Sequence, residues 1–147
     1  MIRNHQSLMV VSVAVLVAGL ALGTALEPDS VVRAQARKRV FEIRTYTANE
    51  GKLLDLHARF RNHTLRLFEK HGMTNVGYWS PQDPPLSSNT LIYIISHDSR
   101  EAAKENWDSF RKDPEWLKVQ KESEANGKLV AKVDSVFMDA TDYSPMK

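Results

Sequence analysis

The sequence contains no cysteine, which excludes disulfide bonds, thiolate metal sites and a cysteine nucleophile. It also lacks a large excess of either charge, because 20 Lys and Arg residues stand against 18 Asp and Glu residues. A balance this even argues against nucleic acid or an acidic polymer as the main partner. The GxSxG, GxGxxG, HExxH and P-loop motifs are absent, so nothing supports nucleophilic hydrolysis or nucleotide binding.

The 147 residues have an ordinary globular composition, 42% hydrophobic and 26% charged, which predicts one domain. That domain follows a targeting segment. Basic Arg3 precedes an uncharged apolar run from Leu8 to Leu22, the pattern of a signal peptide. Ala34-Gln35-Ala36 then offers a small-x-small cleavage pattern.

An uncleaved anchor is the alternative interpretation, because an apolar run extended to Leu26 is just long enough to span a bilayer. We therefore predict a signal peptide or N-terminal anchor over residues 1–36. The domain over residues 37–147 is then extracytoplasmic, either periplasmic or secreted. Contact with a membrane is expected only through an uncleaved N-terminal segment.

Over residues 37–147, the spacing of hydrophobic residues switches several times between the period of a strand and that of a helix. Period-two patterns predict strands over 40–46, 73–79, 91–97 and 129–139, and helical periodicity predicts helices over 52–71, 99–111 and 114–126. The order is β-α-β-β-α-β, with the last two helices taken together. This order predicts an α+β, ferredoxin-like fold: an antiparallel four-stranded sheet with its helices on one face.

The third strand, Leu91 to His97, is apolar on both of its faces. The helices cover only one face of such a sheet, and a strand with two apolar faces needs cover on both. An exposed aliphatic patch is unusual in a monomer. We therefore predict a homodimer that buries Ile92 and Ile94.

Three motifs resemble those of the NIPSNAP family. They are the first strand 40–46 followed by Gly51-Lys52, the segment Val76-Gly77-Tyr78-Trp79, and Asp113-Pro114-Glu115-Trp116. The resemblance covers nearly all of 38–140 and implies a dimeric α/β barrel, in which two four-stranded sheets close on each other. It leaves the function open, because other dimeric α/β barrels include cofactor-free monooxygenases and haem-degrading enzymes.

Two histidines of the first helix are candidate catalytic residues. At 100° per residue, His57 lies within the buried stripe and His63 at its border. Each is a candidate base or ligand for a pocket between helix and sheet, or else a structural histidine satisfied by a hydrogen bond. The two lie about 120° apart around the axis, so they cannot bind one metal ion, and no metal site is predicted.

Glu42 and Arg44 share one face of the first strand, and Phe41 and Ile43 are predicted to take the helix face. If Lys132 and Asp134 share the Glu42 face, opposite charges can pair across strands. Such a face is either a polar lumen that binds a small molecule or an ion-pair array that sets the register of a dimer.

Large aromatic side chains could line a pocket for a flat ligand, although such residues are more often part of the core. The candidate ligand-binding residues are Trp79, Tyr93, His97, Arg44 and Glu42. Two functions remain open. The first is a non-enzymatic, dimeric binding or interaction module without a cofactor. The second is a small monooxygenase-like enzyme, cofactor-free or haem-dependent, that uses a cleft between the first helix and the sheet.

Overall fold

The structure is a computed structural model that describes residues 39–146. The predicted signal peptide or anchor lies outside the described residues. The first helix, α1, runs through α-helical Leu53–Arg59, a π-helical turn Phe60–Thr64 and α-helical Leu65–Lys70. The other elements are β1 Val40–Ala48, β2 Thr74–Trp79, a short 3₁₀ turn Leu86–Ser88, β3 Thr90–His97, α2 Arg100–Lys112, α3 Pro114–Ser123 and β4 Val130–Asp139.

The four strands form one antiparallel sheet in the order β2-β3-β1-β4. The predicted ferredoxin-like fold is therefore confirmed, with the first and third strands in the centre. Predicted element boundaries differ from the observed ones by a few residues at most. Among residues 39–146, no helix combines the length and the apolar character needed to span a membrane.

The core fills the space between α1, α2 and one face of the sheet. Of the stripe predicted to be buried on α1, Leu56, Phe60, Thr64, Leu67 and Phe68 are buried, whereas Leu53, His57 and His71 are only half-buried. Aromatic rings from the sheet and from α2 pack against this face. Large apolar residues exposed by 8% or less build this layer, namely Leu56, Phe60, Leu67, Phe68, Leu91, Tyr93, Ile95, Trp107 and Phe110.

A π-helical turn interrupts α1 at its centre. The backbone N–H of Leu65 donates to the carbonyl of Phe60, and the Thr64 hydroxyl donates to the carbonyl of Arg59, 3.2 Å away. Each bond spans five residues, so the turn holds one residue more than an α-helical turn. The helical wheel therefore shifts at this point, and Arg59 becomes buried beside Phe60.

Asp113 joins α1 to the junction of α2 and α3. Its Oδ1 accepts hydrogen bonds from the backbone N–H groups of Glu115 and Trp116, which makes it the N-cap of α3. Its Oδ2 lies 2.6 Å from Lys70 Nζ and 2.7 Å from His71 Nε2. These partners hold the pKa of the Asp113 carboxyl well below its usual range.

The strand β4 lies at an edge of the sheet and is largely exposed. The helices pack mainly over β2, β3 and β1. Val133 on the helix face is 41% exposed, and Val136 on the opposite face is 56% exposed. The helix face of β4 is thus open to solvent beside the core, and it borders the site described next.

Candidate ligand-binding site

Glu42 and Arg44 lie on the sheet face that the helices cover. The strand register places Glu42 beside Ile95 and Arg44 beside Tyr93, and both partners are fully buried under the helices. The prediction that the charged pair lies on the opposite face is therefore wrong. Alternation along a strand separates two sets of side chains but does not tell which set faces the helices.

The face away from the helices is called the open face below. Phe41 and Ile43 lie on it, contrary to the prediction, together with Lys132 and Asp134. Lys132 Nζ and Asp134 Oδ2 lie 2.8 Å apart and pair with each other. The predicted ion-pair array between these residues and the β1 charges is wrong, because the sheet separates the two groups.

Glu42 is buried at the centre of a four-donor network, with 1% of its surface exposed. Its Oε2 accepts hydrogen bonds from Trp107 Nε1 at 2.7 Å and His97 Nε2 at 3.1 Å. Its Oε1 accepts from Arg44 Nη1 at 2.7 Å and Ser135 Oγ at 2.6 Å. Burial alone would raise the pKa of Glu42, but its hydrogen bonds and the charge of Arg44 lower it to about 2. Glu42 is therefore ionised at neutral pH.

The tautomer of His97 follows from its second partner. Asn106 Nδ2 donates to the Gly72 carbonyl at 2.9 Å and lies 3.3 Å from His97 Nδ1. Since the Gly72 carbonyl can only accept, the amide nitrogen is the donor to both. His97 Nδ1 is thus the acceptor, and the ring proton on Nε2 points at Glu42.

Arg44 keeps one donor without a partner. Its Nη1 binds Glu42, and its guanidinium carbon lies 4.3 Å from the centre of the Trp107 ring. Its Nε is buried and has no hydrogen-bond partner in the described part of the chain. A buried N–H without an acceptor is costly, so this edge of the guanidinium favours an incoming acceptor.

A cleft of about 500 Å³ opens above these residues, between α2 and the helix face of β4. We call it the Arg44 cleft. Its floor is Glu42, Arg44, Trp107 and Ser135, and its walls come from Arg100, Glu101, Ala103, Lys104, Arg111 and Phe137. Because the Glu42 charge is already matched by its donors, the basic side chains leave the cleft with a positive field.

A second cleft of about 360 Å³ continues from the first one. The two share Arg44, Trp107 and Arg111, and the second adds the aromatic side chains of Tyr46 and Trp116. Arg44 therefore lies where a polar cleft meets an aromatic one. This arrangement can hold an anion at Arg44 and an apolar group beside it.

The sequence profile of the NIPSNAP family matches residues 41–145. The chain belongs to the NIPSNAP family. A comparison with curated proteins gives no significant match.

Solved structures of similar fold include other NIPSNAP proteins. A NIPSNAP family protein of unknown function from Agrobacterium tumefaciens (Atu4242) superposes with a TM-score of 0.65 and is 20% identical, over 76% of this chain and 96% of that one. A NIPSNAP-like domain protein from Burkholderia xenovorans superposes with a TM-score of 0.64 and is 15% identical, over 74% of this chain and 90% of that one. A monooxygenase from the ActVA-Orf6 gene of Streptomyces coelicolor, solved with nanaomycin D, superposes with a TM-score of 0.53. It is 13% identical, over 76% of this chain and 95% of that one. At these identities the likeness establishes the fold alone.

In this NIPSNAP domain, the candidate catalytic histidines lie apart from the Arg44 cleft. His57 is half-buried, and its Nε2 lies 3.2 Å from the Ser80 hydroxyl. His63 is exposed and lines a separate cleft of about 380 Å³ between α1 and α3. The space between α1 and the sheet, where a catalytic cleft was expected, is filled by the core.

The candidate ligand-binding residues fall into two groups. Glu42, Arg44 and His97 form one connected cluster under the Arg44 cleft. Tyr93 is fully buried in the core, and its hydroxyl donates to the Tyr46 hydroxyl at 3.0 Å. Trp79 lies in register with Ile92 on the open face, half exposed, so it is not part of the cluster.

Sequence reasoning did not single out Trp107 and Ser135, the two neutral donors to Glu42. Ser135 comes beside Arg44 through the β1–β4 register, which a single sequence does not reveal. The sequence did contain one signal, because Glu42 and Arg44 alternate within a strand. If their face of the strand is buried, hydrogen-bonding partners from other elements must surround them.

The described residues do not offer a ready metal or haem site. No group of three His, Asp or Glu residues between 39 and 146 is arranged to hold a metal ion. His97 has no exposed side-chain surface, and both of its ring nitrogens are in hydrogen bonds. His71 is likewise held by Ser109 and Asp113. Among residues 39–146, the histidines left to ligate a haem iron are His57 and His63, and neither lines the Arg44 cleft.

Proposed function

We propose that this NIPSNAP protein is an exported homodimeric module that binds a small molecule in the Arg44 cleft and does not transform it. The observation that carries the proposal is the built floor of the cleft. A buried, ionised Glu42 fixes Arg44 on the floor of an open cavity of ligand size, and the buried Nε–H of Arg44 has no partner among the described residues.

Binding is favoured over catalysis because the acid–base groups at the cleft are already engaged. Glu42 accepts four hydrogen bonds, so its lone pairs are occupied and its low pKa makes it a weak base. His97 is separated from the cleft by Glu42 and has no exposed surface. The monooxygenase of similar fold supports the architecture and not the reaction.

The homodimer is proposed from the open face. Its apolar residues remain partly exposed after folding, and they include Ile43, Ile92, Ile94, Val136 and Met138. The half-exposed ring of Trp79 extends the patch. The C-terminal residues lie beside one part of it, around Phe41, Ile94 and Met138, and not beside Ile43, Ile92 or Val136. A second copy is the occupant that offers an equal apolar area.

The segment to be tested is residues 37–147. Residues 36–147 form one compact unit, and the match to Atu4242 spans 96% of that protein, which therefore consists of little more than this domain.

The dimer is tested with Ile94→Asp, which places a charge in the centre of the open face. We expect the mass from light scattering to fall from two copies to one, or the protein to aggregate. Leu54→Asp is the matched control, because Leu54 on α1 is 80% exposed and lies outside the open face. A wild-type mass for Ile94→Asp would contradict the assignment.

Export is proposed from the charge and apolar pattern of residues 1–36. N-terminal sequencing of protein recovered from outside the cytoplasm should give a start near Arg37 or Leu26. An intact Met1 on soluble cytoplasmic protein would refute it.

The binding role is tested by what the native protein carries. Protein purified from its own cell should release a small molecule on denaturation, detected by mass spectrometry. The molecule, added back, should move the Trp107 indole N–H resonance, because this group donates to Glu42 at the cleft floor. A protein that carries nothing, and whose Trp107 resonance no library compound moves, would overturn the proposal.

A further inference from the structure

We infer that the ligand of the Arg44 cleft is an amphiphilic carboxylate, held by Arg44 with its apolar body against Tyr46 and Trp116. The inference rests on the proposed binding function and specifies its ligand class. Three observations support it: the net positive charge of the cleft, the Arg44 Nε–H that has no partner among the described residues, and the aromatic walls that continue the cleft.

The first observation concerns charge. Four basic residues line the Arg44 cleft against two acids, and the pairing of Arg44 with Glu42 leaves Arg100, Lys104 and Arg111 against Glu101. The field that remains is positive. An anionic group entering the cleft thus gains attraction without displacing a partner from Glu42.

The second observation concerns geometry. Arg44 uses Nη1 for Glu42 and stacks against Trp107, which fixes the plane of the guanidinium. Nε and Nη2 share another edge of the guanidinium, and Nε has no hydrogen-bond partner among residues 39–146. A carboxylate accepts two parallel hydrogen bonds from such an edge, which a lysine cannot offer.

The third observation concerns the walls. The cleft continues past Arg44 along the aromatic rings of Tyr46, Phe110 and Trp116. An inorganic anion would leave this apolar surface in water. A carboxylate with an aromatic or aliphatic body covers it and gains hydrophobic burial.

The test uses residues 37–147 and two matched pairs of probes: 1-naphthoate with 1-naphthamide, and octanoate with octanamide. The carboxylates should bind in calorimetry and move the Trp107 indole resonance, and their neutral amides should bind at least about tenfold more weakly. The aryl and alkyl arms show which body fits. Higher salt should weaken carboxylate binding.

Substitutions of Arg44 and Arg111 test whether these side chains bind the carboxylate of the ligand. Arg44→Lys keeps the charge but loses the fork, so carboxylate affinity should fall by about tenfold or more. If this variant does not fold, Arg111→Gln on the exposed wall carries the test, with a severalfold loss and a weaker salt dependence. Arg61→Gln is the control, because Arg61 is exposed on α1 and lies outside the cleft.

Equal affinity for a carboxylate and its amide would overturn the inference. A neutral compound that moves the Trp107 resonance while the carboxylates do not would also overturn it, but would leave the binding function standing. If neither probes nor library compounds move Trp107, both proposals fail together.

Discussion

Replacing Glu42 by glutamine tests the centre of the site. The pKa of Glu42 falls from 4.5 to about 2 on folding. At about 1.4 kcal/mol per pKa unit, this fall corresponds to about 3 kcal/mol of stabilisation. Because the folded pKa is the lower one, the stabilisation is complete above the ordinary pKa of 4.5 and is lost as the pH falls towards 2. Glu42→Gln has similar size but no charge to offer its four donors.

We expect Glu42→Gln to lower the free energy of unfolding by about 3 kcal/mol near neutral pH. The difference from wild type should shrink steadily between about pH 4.5 and about pH 2, since wild-type Glu42 is then protonated as well. Urea unfolding followed by circular dichroism, at one protein concentration and several pH values, measures both quantities. Glu105→Gln on the exposed side of α2 is the control and should change stability by no more than about 0.5 kcal/mol. A loss below about 1 kcal/mol, or one that stays constant down to about pH 2, would refute this account of the network.

Three further outcomes follow from the packing. In thermal scans, His57→Ala should lower the melting temperature slightly, because it removes the contact to Ser80. His63→Ala should leave the melting temperature unchanged, because His63 is exposed. An equal fall in melting temperature for both variants would contradict this. Gly77→Ala should shift the tryptophan fluorescence, because a β-carbon at position 77 would lie 2.5 Å from the Trp79 ring and force it to move; an unchanged spectrum would show that the ring is not packed there. Asp113→Ala should lower the melting temperature more than either histidine change, because it removes the cap of α3.

The sequence predicted the order and nature of the elements well, because each strand and helix carries its own period. The alternation of Val40 to Tyr46 fixes a strand whatever surrounds it. The same alternation could not tell which side faces the helices. Both sides of β1 carry large side chains, and a charged pair on the helix side is stable only because Trp107, His97 and Ser135 converge on it.

Those converging groups lie beyond the reach of local patterns. Ser135 is 93 residues from Glu42 in the chain, and Trp107 is 65 residues away. Their contacts depend on the β1–β4 register and on the rotation of α2 over the sheet. The π-helical turn of α1 could not be predicted from the sequence either. Its extra residue depends on packing around Arg59 and Thr64, and no local composition indicates it.

The open face and the Arg44 cleft are linked through β4. Its alternate residues serve opposite surfaces, with Ser135 on Glu42 in the cleft and Val136 on the open face. A second copy packed on the open face would hold β4 from behind and so fix the cleft floor.

Binding and dimerisation should therefore favour each other, and by linkage the coupling is equal in both directions. We expect a bound ligand to lower the dissociation constant of the dimer in analytical ultracentrifugation. In the Ser135→Ala variant the ligand should still bind Arg44 but should no longer tighten the dimer, because the bond that connects β4 to the buried carboxylate is gone. A dimer constant that is identical with and without ligand in the wild type would show that β4 is rigid enough to keep the two surfaces independent.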